Sequence, residues 1–357
     1  MKLATVFSRG GSNQGLRKSA VSRFTTNLIG SGVHLNLFND QRHFVTDSGF
    51  DLSSEFQKFE DSLTSHKAMN HKVFHDLADL SERREMSASQ FSIFRHVFLA
   101  RVAPTVPCLI QAGLNAAKNG EYEKLNLILA NIGEEAGMGD GKLAHPKLAE
   151  CAFNAVAERV YKLPPITMIS AFNNPILPQE ILYRAVVEYL YKNCPYLVSY
   201  VQERFSGGDQ DNIGMMASVY NIFKGFKPFF NEAEYETNIL PYFSSHINID
   251  KSGMVDNVDG VEFIHAETAR KMALEELGSA SKLRQKMPEL LSFAEVQGTL
   301  WDALEKTIKD AQGLKKPLII PVSNKLIEHD KLNFADRIIS ERANQANSPL
   351  SSVRTRT

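Results

Sequence analysis

The chain has 357 residues, a formal net charge of −1, 43% apolar residues, 9% aromatics and three cysteines. That length suits one large domain or two small ones with a sizeable core, and the apolar fraction is too high for a disordered chain. The near-zero charge lacks the basic surplus of a nucleic-acid binder, and Cys108, Cys151 and Cys194 form no CxxC pair, which excludes a disulfide scaffold and a zinc knuckle. Three buried, reduced thiols are expected instead.

No Asp or Glu precedes Asp40, whereas Lys2, Arg9, Arg17, Lys18 and Arg23 fall in that span among several glycines and hydroxyl residues. Residues 1–54 therefore read as a basic, acid-poor flexible arm. Organelle transit peptides and export tails share that character, so a targeted location stands as the alternative to a cytoplasmic one. No stretch approaches the roughly 20 apolar residues of a membrane helix, so no membrane is expected.

From Phe56 the apolar residues Phe56, Phe59, Leu63, Met69, Phe74, Leu77 and Leu80 recur at helical spacing through residue 82. Gln90 to Asn119 reads as a long helix bent by Pro104 and Pro107, and Tyr122 to Gly133 as a third. Pro146 opens a fourth that runs to Tyr161. Further helices are expected over Pro178–Lys192, Pro195–Phe205, Asp211–Phe230, Glu232–Asp250, Asp259–Leu277 and Pro288–Gln312. The β-like run Pro317–Val322 is too isolated to build a sheet. The expectation is an all-α domain over residues 55–312, followed by an extension over 313–357 whose end is disordered.

An all-helical domain with His and carboxylate residues inside it raises the question of a metal. Glu135 and His145 are ten apart, so on an unbroken helix they would lie about 15 Å from one another. Gly137, Gly139 and Gly141 break that helix, Pro146 restarts it, and His145 falls at an N-cap from which a loop can bring it back to Glu135. His246 and Asp250 are one helical turn apart. Glu262 and His265 have the Glu-x-x-His spacing of di-iron bundles. His71 and His75 also stand four apart, on a polar segment expected to be a solvated face. The crowded aromatics Phe223, Phe226, Phe229, Phe230, Tyr242 and Phe243 suit either an apolar pocket or plain core packing.

The order of these segments is more specific than any one of them. Asn131-x-x-x-Glu135-x-Gly137-x-Gly139 with His145, then Tyr242-Phe243-x-x-His246-x-x-x-Asp250, then His265-Ala266, resembles the haem-oxygenase-like di-iron oxidases over residues 90–277. The resemblance implies a haem-oxygenase-like helical bundle with flexible tails. It also implies a non-haem centre of one or two Fe(II) ions that activates O2 to oxidise a small organic substrate. Its metal ligands would be Glu135, His145, His246, Asp250 and His265, with Glu262 and Asp211 as further candidates. Partners would be a small-molecule substrate and, at family level, a second copy in a homodimer.

The chain departs from that pattern at three places. Gly253 stands where a His is usual, no acid occurs over Leu109–Gln111, and a Glu expected about 30 residues before His246 has only Asp209 and Asp211 nearby. The alternative reading is a helical domain whose metal site has degenerated and which serves as an interaction or effector module.

Overall fold

The computed structural model describes residues 51–137, 143–207, 214–247 and 261–314, with the side chains of 261–265 outside the description. Of the described residues 80% are helical and none is in a strand, so the domain is all-α. The run Pro317–Val322 lies outside the described residues, as do residues 1–50.

The chain order is α1 (Leu52–Thr64), α2 (Lys72–Glu82), α3 (Ala88–Val102), α4 (Thr105–Asn119), α5 (Tyr122–Glu135), α6 (His145–Tyr161) and α7 (Met168–Asn173). Then follow α8 (Pro178–Asn193), α9 (Pro195–Gly207), α10 (Met215–Lys224), a 3-10 turn (Lys227–Phe229), α11 (Glu232–Asn238), α12 (Leu240–Ser244), α13 (Val261–Leu277) and α14 (Ala280–Asp310).

Local chemistry explains several boundaries. The segment expected to be one helix over 56–82 is two. The Asp51 carboxylate caps α1 by accepting from the Ser53 and Ser54 N–H groups, and a turn over 65–71 separates it from α2. Ser87 and Gln90 form a reciprocal capping box at the start of α3. Proline lacks an N–H, and the expected long helix over 90–119 parts at Ala103-Pro104 into α3 and α4. Pro107 causes no break, because it falls in the first turn of α4, where a donor is not needed. The last helix starts well before Pro288: Ser279 caps it by accepting from the Lys282 N–H, and Pro288 is carried inside.

Two helices are buried nearly all round and organise the rest. On α3 every residue from Ser89 to Arg101 is buried, and it packs against α6, α7, α8 and α14. Helix α9 is buried from Pro195 to Glu203 and packs chiefly on α13, with α4, α8, α10 and α14 around it. Phe153 of α6 is the hub of an aromatic cluster with Phe91, Phe94, Phe98 and Phe223, ring centroids 4.8–6.4 Å apart. Phe223, Phe226 and Phe243 are buried in that core and Phe229 and Phe230 are half-buried. Core packing accounts for that aromatic set, apart from Tyr242.

By length and composition residues 88–119 are apolar enough to cross a membrane, with a mean hydropathy of 1.5 over 18 residues. The expectation that no stretch comes near that limit is therefore corrected. The apolar character has a local cause, since this stretch is α3 inside the core joined to α4. The thiols also differ from expectation: Cys108 and Cys194 are buried, whereas Cys151 is exposed on α6.

Candidate metal centre

Glu135 ends α5 and His145 begins α6, with Ala144 rather than His145 at the N-cap. Gly137, at φ +69°, takes the left-handed conformation that glycine tolerates, and the chain turns away from α5 there. The reversal sets His145 Nδ1 3.3 Å from Glu135 Oε2, with both side chains only 13% exposed. His246 comes from the far side. It does not lie on a helical face, as its spacing to Asp250 predicts, but on the turn that follows α12. Its ring centroid is 4.6 Å from that of His145. One ligand atom from each of Glu135, His145 and His246 lies within 4.8 Å of the other two.

The hydrogen bonds prepare these groups for a cation. His246 Nδ1 is 2.6 Å from the Tyr242 carbonyl oxygen and 3.0 Å from Ser245 Oγ. A carbonyl only accepts, so Nδ1 carries the proton and the ring lone pair is on Nε2, the arrangement common to metal-binding imidazoles. His145 Nδ1 is buried and, although close to Glu135, makes no hydrogen bond to it. A buried nitrogen and a carboxylate oxygen that approach without bonding fit two donors sharing one cation.

These three side chains line a chamber of about 50 Å³ whose walls also include Arg101, Thr105, Gln202, Glu203, Met216 and Tyr242. Glu203, on α9, is only 7% exposed. It was invisible to spacing arguments, because it lies 43 residues before His246 rather than about 30. A signal did exist in the run Tyr196–Phe205, where Gln202-Glu203-Arg204 interrupts an otherwise apolar buried helix. Arg101 had the same signal, a cation inside the apolar run Phe91–Val102.

The other candidates divide. Asp211 and Asp250 lie outside the described residues. Glu262 and His265 fall in the first turn of α13, where only the backbone is described. Leu109, near the position that lacks an acid, lines a second cavity of about 230 Å³ with Ile128, Asn131, Ser199, Ala269 and Met272, and Glu203 is part of its wall too.

A second group of donors, His71 with Asp302 and Glu305, also converges. His71 is not on a solvated face as expected: it is 4% exposed and caps α2, while His75 is exposed. The cap argues against a metal here. His71 Nδ1 accepts from the Val73 N–H at 3.2 Å, which leaves its proton on Nε2, 3.2 Å from Asp302 Oδ1. Lys67 pairs with Asp302, and Lys309 and Lys72 with Glu305. This is an ion-pair network already neutralised by lysines.

Comparison of the chain with family models, curated proteins and solved structures finds no match, so the geometry of Glu135, His145 and His246 is what speaks for function.

Proposed function

We propose that this protein is a non-haem iron enzyme that activates O2 to oxidise a small organic substrate, with Glu135, His145 and His246 holding the iron. The observation that carries this reading is the meeting of two imidazoles and one carboxylate, from three separate elements, at the wall of a small chamber. A two-histidine, one-carboxylate set with open positions is the donor combination of non-haem Fe(II) oxygenases. Iron bound there would supply the redox change and the open positions at which O2 and substrate meet.

The chain's own residues have defined tasks in this reading. The Tyr242 carbonyl and Ser245 hydroxyl hold the His246 ring and its tautomer. Glu135 supplies negative charge, which offsets that of a divalent cation. Glu203 offers a second carboxylate on the chamber wall, for the same ion or for a second one. Asp250, His265, Glu262 and Asp211 extend the ligand set if the resemblance to haem-oxygenase-like oxidases holds.

Anaerobic Fe(II) loading followed by metal analysis tests this. One to two irons per chain are expected, falling below a tenth of that occupancy in Glu135→Ala and His246→Ala. A well-folded wild-type protein without stoichiometric iron would overturn the reading.

A further inference from the structure

Three basic side chains are buried on α3, and they are satisfied very differently: burial lowers the His96 pKa and favours its neutral form, whereas the two arginines carry charge. Arg95 donates to Asn154 Oδ1 and to the Pro164 carbonyl, both at 3.0 Å, and His96 Nε2 is 2.8 Å from the Asn174 carbonyl oxygen. These two tie α3 to the chain around α6 and α7. Arg101 is 3% exposed and lines the chamber of Glu135, His145 and His246. Its one hydrogen bond runs from a terminal nitrogen to Gln297 Oε1 at 2.7 Å, its guanidinium stands 5.6 Å from the Tyr183 ring centroid, and its Nε has no acceptor. Among the described residues no carboxylate pairs with it, and neither Glu135 nor Glu203, which share its chamber, forms an ion pair with it.

A buried guanidinium without an anionic partner is costly, and its planar fork is made for a carboxylate. The charges in the chamber point the same way. Two carboxylates, one guanidinium and a divalent cation leave one positive charge over, which a monoanion cancels. We propose that Arg101 is a binding residue for the carboxylate of a small organic acid, the ligand of this site. The chamber, at about 50 Å³, has room for a carboxylate. The neighbouring cavity, at about 230 Å³, has room for an organic body, has apolar walls in Leu109, Ile128, Ala269 and Met272, and shares Glu203 with the chamber. A cavity of roughly 150 Å³ already accepts benzene. The ligand class is thus an aliphatic or aromatic monocarboxylate. This inference rests on the metal reading for its charge balance and on Arg101 for its chemistry.

The test is calorimetric titration of the zinc-loaded protein, zinc being redox-inert, with acetate, hexanoate and hexylamine, and metal analysis of the same samples. Hexanoate is expected to bind more tightly than acetate, and hexylamine not to bind. Arg101→Lys, which keeps the charge and loses the fork, should weaken hexanoate at least tenfold with zinc content unchanged. Gln297→Glu provides a second route that keeps Arg101, because an internal carboxylate 2.7 Å from the guanidinium occupies it and should weaken hexanoate similarly. Unchanged hexanoate affinity in both variants, or preference for the amine, overturns the proposal. The two readings fail separately: a chain that takes up neither zinc nor iron refutes the metal centre, while a zinc-loaded chain that does not bind hexanoate refutes the carboxylate site alone.

Discussion

The meeting of Glu135 with His145 depends on one left-handed glycine and one proline-started helix, and the aim of His246 depends on a backbone carbonyl four residues back. Ser245 adds the contact that a variant can remove: Ser245→Ala should lower iron affinity about tenfold with the fold intact, read by competition with a chromophoric chelator. Another buried group governs stability rather than binding. Glu180 is 4% exposed, and burial pushes its carboxyl up to about 7 despite the Ile176 and Leu177 N–H groups that it accepts. The folded state therefore holds a proton that the unfolded state releases near pH 4.5. This contribution is full below that pH, declines as pH rises towards 7, and is flat above it. Urea unfolding should show wild type losing roughly 2–3 kcal/mol through this group between pH 4 and pH 8. Glu180→Gln keeps the accepting oxygen and should remove that part of the decline.

Among the helices, those with a strong apolar period were readable and those with a break were not. The stretch 56–82 keeps its period straight across the turn at 65–71, so nothing in the spacing of Phe59, Leu63, Met69 and Phe74 marks the boundary; the His71 cap does. Residues 232–247 hide a break at Ile239 for the same reason, and the helix that resumes there ends at Ser244, which leaves His246 on the turn beyond it. Helix–helix contact imposes limits of a different kind. At Gly225, just after α10, a Cβ would stand 2.4 Å from Ser81 Oγ and 2.6 and 2.7 Å from the backbone of Ser81 and Glu82 at the end of α2. Gly225→Ala must push the two helices apart and should cost about 1–3 kcal/mol, measured as a lower urea midpoint with unchanged helical circular dichroism.

Burial in the assembled bundle sorts residues that look alike in the chain. Cys108 and Cys194 are buried and burial pushes both thiols up to about 12, whereas Cys151 is exposed. A thiol reagent at pH 8 should titrate one group per folded chain and three after unfolding. Two fast-reacting thiols in the native protein would contradict this packing. The same sorting separates the three basic residues of α3, which the apolar run Phe91–Val102 presents as equal interruptions: two meet backbone carbonyls and one lines the chamber.

Composition and apolar period were sufficient for the helical class and for the approximate position of most helices, because these properties are local: they follow from residue type and from spacing within a few turns. Glu135, His145 and His246 became candidates through the order of their segments and the family resemblance that this order carries. The inclusion of Glu203 and Arg101 in their chamber, the rejection of His71 as a ligand and the exposure of Cys151 are set by which helix faces meet. Such contacts join residues tens to hundreds of positions apart, and spacing along a chain holds no record of them until the helices pack.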